Sequence, residues 1–205
     1  MSKPQEPHAY PNPERLKYYQ DDYRKFHTAQ PKKLSGKLKV EQINIIVGLV
    51  AGLMSERATG FKPRLLDYGS GKGYQYLLAR IHENWGGHLP ICYDPGVIQL
   101  ATRPPGRFDG IICTDVLEHI EAFDLDHVLE DIFRYAALPV SAHTYSFVYL
   151  HICCREAHKH FEDGRNLHRT VQPPKWWNEL LAKHVAPFSY IKLVTSYEEA
   201  KVPDE

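Results

Sequence analysis

Residues 64–77 read Arg64-Leu65-Leu66-Asp67-Tyr68-Gly69-Ser70-Gly71-Lys72-Gly73-Tyr74-Gln75-Tyr76-Leu77. A short apolar run ends on an acid, three glycines alternate after it, and a helix-forming stretch follows, read as Tyr74 to His82. The pattern predicts strand, loop and helix. Glycine lets the chain turn sharply and lets a ligand touch the main chain. The helix start adds N–H groups without intrahelical partners.

Spacing rejects one phosphate-binding reading of this loop and disfavours another. A P-loop requires Ser or Thr after Gly-Lys, and here Gly71-Lys72 is followed by Gly73. A dinucleotide fingerprint requires a third glycine three residues after the second, where Tyr74 stands. S-adenosylmethionine is the third reading. It has no pyrophosphate, and a carboxylate at the strand tip can orient its ammonium. A second acid, Asp94, ends the next apolar run, Leu89 to Tyr93, 27 positions after Asp67. In doubly wound sheets an acid at this point accepts hydrogen bonds from ribose hydroxyls. A third strand, Phe108 to Cys113, leads to Thr114-Asp115-Val116-Leu117-Glu118-His119, with Asp115 at the strand end and a long helix predicted from Val116 to about Ala137.

The rest of the chain continues the alternation. Residues 1–15 are polar and proline-rich and read as a loose arm. Residues 14–27 place Leu16, Tyr19, Tyr23 and Phe26 on one face of a helix, either packed on the core or covering a cleft. Residues 31–39 form a basic turn. Residues 40–57 read as a buried helix; its apolar run Ile43–Met54 is about 12 residues, against the roughly 20 that a bilayer requires. Strands are predicted at Ser146–Cys153 and Ser189–Val194, and a helix at Pro174–His184. The expected architecture is α/β: a Rossmann-like, mostly parallel sheet with a shortened third-strand region. Residues 1–39 form an N-terminal arm and helical cap, and residues 40–205 the main domain.

These motifs, DYGSGKG, YDP and FDGIICTDVLEHI, resemble those of the class I S-adenosylmethionine-dependent methyltransferases, in the small branch with V-L-E-H after a strand-end acid. The likeness covers about residues 64–137. Asp163-Gly164-Arg165-Asn166-Leu167-His168 and Pro174-Lys175-Trp176-Trp177 are similar to a block of bacterial and phage methyltransferases. The resemblance implies that Asp67, Gly69, Gly71 and Gly73 line the methionine end of S-adenosyl-L-methionine, that Asp94 holds the ribose, and that Asp115 and Val116 sit beside the adenosine–sulfonium region. Only 13 residues separate Asp94 from Phe108, too few for the helix and strand the family places there.

Methyl transfer to oxygen benefits from a base near neutral pKa, which points to histidine. His119, next to the third motif, and His168, in a polar loop, are the candidates. Tyr19 and Tyr23 on the cap, with Arg165 and Asn166, are the candidate acceptor-binding residues. The cluster Cys153, Cys154, His158, His160 and His168 matches no common zinc spacing, so no metal is expected.

Composition sets the outer limits. The chain has 205 residues, 25 Lys plus Arg and 25 Asp plus Glu, so its formal net charge is zero. Zero net charge disfavours a binder working through a global basic field, and no duplex nucleic acid is expected. The N-terminus carries no apolar leader, and free cysteines fit a reducing, cytoplasmic compartment. A small-molecule or sugar-like hydroxyl is the expected acceptor. The alternatives are a nucleotide or RNA base, and a cofactor-binding regulatory protein without catalysis. Oligomeric state is not legible.

Overall fold

Strand β4, Ser146–Cys153, is buried along all eight of its residues. That is what a central strand of a parallel sheet covered on both faces requires. The computed structural model describes residues 10–29, 38–136 and 144–200. Within them β4 is flanked by β3 (Gly110–Thr114) and β5 (Ile191–Glu198), and β1 (Leu65–Tyr68) and β2 (Ile91–Tyr93) complete a five-stranded sheet. The order is β2-β1-β3-β4-β5, and every pairing is parallel. The chain moves outward from β1 to β2, then returns across β1 to β3. In open α/β sheets, ligands bind at the carboxyl ends of the strands beside such a reversal.

Strand periodicity divides the core into two layers. Leu66 and Tyr68, Ile111 and Cys113, and Val148, Leu150 and Ile152 join one buried cluster. The alternating residues Leu65, Ile112, Phe147 and Tyr149 join the other. The first layer packs on α4 (Leu125–Arg134) and α5 (Pro174–Val185), the second on α2 (Val40–Ser55). Helix α2 buries Ile46, Leu49, Val50 and Leu53 at helical spacing. Each such side chain contributes about 1.5–3 kcal/mol, enough to offset Gly48 and Gly52 at about 1 kcal/mol each. Gly52 has a packing reason: a Cβ there would lie 2.9 Å from the Tyr145 hydroxyl.

Helix α1 (Pro13–Ala29) packs on the first core, with its Tyr19 buried in that cluster beside Tyr10, which precedes the helix. The Tyr19 hydroxyl donates to Asp124 Oδ2 at 2.6 Å and accepts from the Glu121 N–H at 3.1 Å. Arg15 Nε donates to the same carboxylate at 2.8 Å. From Tyr10 onward the chain is therefore packed on the core, against the loose arm expected to run to about residue 15. Residues 1–9 and the basic turn at 31–37 lie outside the described residues, as does the Phe26 side chain.

Several predicted bounds need correction. The helix expected from Val116 to Ala137 is broken into 3-10 turns at Leu117–His119 and Ala122–Asp124, followed by α4. Asp115 has φ 55°, and Ile120 and Glu121 are extended. The Tyr19 and Arg15 contacts hold the chain there and override its helical spacing. Helix α3 spans only Tyr74–Leu77, and a 3-10 turn at Ile81–Trp85 follows. Leu77 and Leu78 are exposed, so a longer helix has no apolar face to bury. Strand β5 runs past Val194 to Glu198 because it pairs with β4 over the full length, ending at Cys153↔Glu198. Between β2 and β3 the described residues form no strand, only a 3-10 turn at Ile98–Leu100, in line with the short spacing there. No helix among the described residues is long and apolar enough to cross a membrane.

Candidate functional site

A cleft of about 440 Å³ opens where the strands end, a volume typical of small-ligand sites, which run roughly 300–1,000 Å³. All five strand ends border it: Gly69 and Gly71 after β1, Asp94 to Gly96 after β2, Thr114 at the end of β3 with Asp115 and Val116 beyond it, Cys153 at the end of β4, and Glu198 at the tip of β5. Tyr19 and Tyr23 of α1, His119, His168 and Arg155 close the remaining sides.

The glycine loop is fastened by the second strand. The N–H groups of Gly69 and Ser70 both donate to the Tyr93 carbonyl, at 2.7 and 3.1 Å. Gly69 has φ 80°, and a Cβ on it would stand 2.3 Å from Val116 Cγ2. Two constraints therefore require glycine here: the left-handed backbone and the seat of the Val116 side chain. Asp94, 8 % exposed, joins two loops. Its Oδ2 accepts from the Gly71 N–H and its Oδ1 from the Gly96 N–H, both at 2.8 Å. Burial raises its pKa to about 6 despite these bonds. Each carboxylate oxygen has two lone pairs, so accepting one backbone bond leaves each with further capacity. Gly96 also seats α1, since a Cβ there would lie 2.5 Å from Tyr23 Cβ.

Asp67 and Gly73 do not border the cleft. Asp67 lies beneath the loop, where its Oδ2 accepts from Tyr76 Oη at 2.8 Å and Gln75 Nε2 at 3.0 Å. Burial raises its pKa to about 7. It ties β1 to α3. Gly73 precedes α3 and faces Cys92.

The opposite wall carries the two histidines, with ring centroids 4.8 Å apart and planes near perpendicular. His119 Nδ1 lies 2.9 Å from the Leu167 carbonyl, and His168 Nδ1 lies 2.5 Å from that of Arg155. A carbonyl only accepts, so in each neutral ring Nδ1 carries the proton and Nε2 the basic lone pair. Burial lowers the pKa of His168. Asn166 builds the loop beneath it: its Oδ1 accepts from the N–H groups of Ala157 (3.1 Å) and His168 (2.8 Å), and its Nδ2 donates to the Ala157 carbonyl. Arg165 clasps α1, donating to Tyr18 Oη at 2.7 Å and Asp22 Oδ2 at 3.2 Å. Neither Arg165 nor Asn166 borders the cleft. Both sit behind it, and Tyr19 and Tyr23 are the acceptor-side candidates that reach it.

Asp115 projects from its left-handed backbone toward His151, whose Nε2 lies 3.6 Å from Asp115 Oδ1. A non-glycine residue held at φ 55° stores local strain of a kind found at binding sites. His151 Nδ1 meets Ser196 Oγ at 2.8 Å. Glu198 lies between Lys39 and Arg155, which hold its carboxyl down at about 2.

His151, Cys153, Arg155 and Glu198 were missed as site residues. Glu198 comes into reach only because β5 runs four residues beyond Val194, where its apolar pattern ends. Cys153 and His151 end a strand that reads as core throughout. Glu118, 0 % exposed, is buried behind the cleft wall.

No protein-family model matches this sequence, and no curated protein matches it.

Proposed function

We propose that this chain is an S-adenosylmethionine-dependent methyltransferase that methylates a hydroxyl of a small-molecule or sugar-like acceptor. The observation that carries the reading is the convergence on one cleft of Gly69, Gly71, Asp94, Asp115 and Val116, facing His119 and His168. The residues suit this cofactor on two grounds. The cleft offers side-chain carboxylates, Asp94 and Asp115, to hydroxyl and ammonium donors. The glycine loop also offers a pyrophosphate little helix dipole, because α3 is only four residues long.

When bound, the cofactor supplies an activated methyl group on a sulfonium. The protein's own residues do the rest. Glycine backbone at 69 and 71 gives a wall without side chains. Asp94 accepts ribose hydroxyls while its other bonds fix both neighbouring loops. His119 takes the acceptor hydroxyl proton at Nε2, with Nδ1–H held by the Leu167 carbonyl, which sets the tautomer. Tyr23, edge-on to His119 at 5.8 Å, and Tyr19 narrow the opening and exclude water from the acceptor.

Calorimetric titration with S-adenosylhomocysteine tests the reading. Micromolar binding in the wild type, much weakened in Asp94→Asn, is the expected outcome. Absence of wild-type binding overturns it. Turnover with labelled cofactor then separates a hydroxyl acceptor from a nucleotide base, and cofactor binding without turnover on any acceptor favours a regulatory protein.

A further inference from the structure

Behind the histidine wall, three side chains from distant parts of the chain meet. An oxygen of Glu118, the sulfur of Cys153 and a ring nitrogen of His168 lie within 4.8 Å of one another. Glu118 is wholly buried, and among the described residues its Oε2 has no hydrogen-bond partner. A buried carboxylate oxygen left unpaired loses its hydration without replacement, so a partner is expected.

The surroundings orient each of the three as a ligand. Cys153 N–H donates to Glu118 Oε1 at 3.1 Å, which fixes the carboxylate and leaves Oε2 over. The His168 Nδ1–H is held by the Arg155 carbonyl, which leaves Nε2 as its donor atom. Metal-binding histidines characteristically have the second ring nitrogen anchored in this way, and metal-binding carboxylates are themselves hydrogen-bonded. The backbone N–H groups of Arg169 and Thr170 donate to the Glu118 carbonyl, at 2.7 and 3.0 Å, and so tie the His168 loop to the Glu118 turn. In a tetrahedral zinc site with bonds of roughly 2.0–2.3 Å, ligand atoms stand roughly 3.3–3.8 Å apart. A contraction of about 1 Å brings the three to that spacing.

We propose that Glu118, Cys153 and His168 bind one divalent transition-metal ion of the zinc class. A thiolate, a carboxylate and a neutral imidazole together balance a dication, and this donor set suits Zn²⁺ better than Mg²⁺ or Ca²⁺. Binding replaces the Cys153 S–H bond with a sulfur–metal bond and releases that proton to solvent, with no change of oxidation state. Cys153 and His168 also border the cleft, so a cleft ligand can reach the coordination position that three protein ligands leave open. The ion then occupies the His168 lone pair, and His119 alone remains to take a proton. The site does not rest on the methyltransferase reading, and each is tested without the other.

Chelator-dialysed protein titrated with Co²⁺ gives the decisive measurement. One equivalent should produce a sulfur-to-cobalt charge-transfer absorption that Zn²⁺ displaces. The band should vanish in Cys153→Ser and persist in Cys154→Ser. Glu118→Gln keeps the oxygen that Cys153 N–H uses, and it should weaken Co²⁺ at least 100-fold. No band in the wild type overturns the proposal, as does a band that survives Cys153→Ser or disappears in Cys154→Ser. Should a variant fail to fold, the wild-type chain still decides. Zn²⁺ should slow alkylation of Cys153 at least tenfold relative to Cys154, and equal rates with and without Zn²⁺ overturn the site.

Discussion

The two walls of the cleft are built in different ways. The wall of Gly69, Gly71 and Asp94 comes from two strand–loop units close in sequence, and its hydrogen bonds run between main chain and one carboxylate. The wall of His119, Cys153, His168 and Glu198 draws on four separate segments, and its geometry depends on side chains meeting across long separations. The first is specified by local turn chemistry. The second exists only once the sheet has formed and the 155–170 loop has docked. A substitution in the first wall should therefore act on ligand affinity and on the fold together, while one behind the second should act on positioning with little cost in stability.

The sharpest break of this contrast is Asp94→Ala. It removes the acceptor of both the Gly71 and Gly96 N–H groups, and S-adenosylhomocysteine affinity should fall at least 100-fold by calorimetry, with Asp94→Asn falling less. Next comes Gly69→Ala. The positive φ and the approach to Val116 should together cost about 1–3 kcal/mol in denaturant unfolding, with at least a tenfold loss in ligand affinity. An equal substitution at Gly60, also at positive φ but with open space around it, should leave affinity unchanged.

The third test uses pH. Asp94 and Asp67 titrate higher in the folded chain than in the unfolded one, at about 6 and about 7. Between about pH 4 and those values the folded state holds more protons. Stability should therefore fall as pH rises through that window, by at most about 1.4 kcal/mol per pH unit for each group. Ligand affinity should move the opposite way, rising as Asp94 ionises and becomes the better acceptor. Asp94→Asn should flatten the affinity profile, and an unchanged profile would remove Asp94 from the ligand's contacts.

The smallest effect is expected at Arg165→Ala, behind the second wall. Its partners are part-exposed, so stability should change by less than about 1 kcal/mol. Cofactor-analogue affinity should be unchanged, while turnover should drop as α1 loses its clasp on the loop bearing His168.

What was legible in the sequence follows the same division. The strand–glycine unit, Asp94, the shortened β2–β3 connection and β4 are local patterns, and each stands where its pattern placed it, whereas the helix after the glycines stops at Leu77. Helix bounds failed at Val116–Ala137 because Tyr19 and Arg15, about a hundred residues earlier, capture the Glu121–Asp124 turn. Asp67 carries the residue type of a ligand-binding acid, yet Tyr76 and Gln75 hold it under the loop, and nothing in its spacing distinguishes the two uses. Glu118 and Cys153 are 35 positions apart and share no motif, so only the folded chain brings them together.

The glycine loop hangs from β2, which has three residues and forms the edge of the sheet, whereas β4 and β5 pair over eight. Hydrogen-exchange protection in such a sheet is graded: edges open locally at low free energy, and the centre opens only with global unfolding. Since Gly69 and Ser70 both depend on the Tyr93 carbonyl, their amides should exchange on the timescale of that edge. A ligand seated against the loop should then slow exchange most at Gly69, Ser70 and Gly71 and least along β4, so the weakest-paired strand of the sheet reports occupancy.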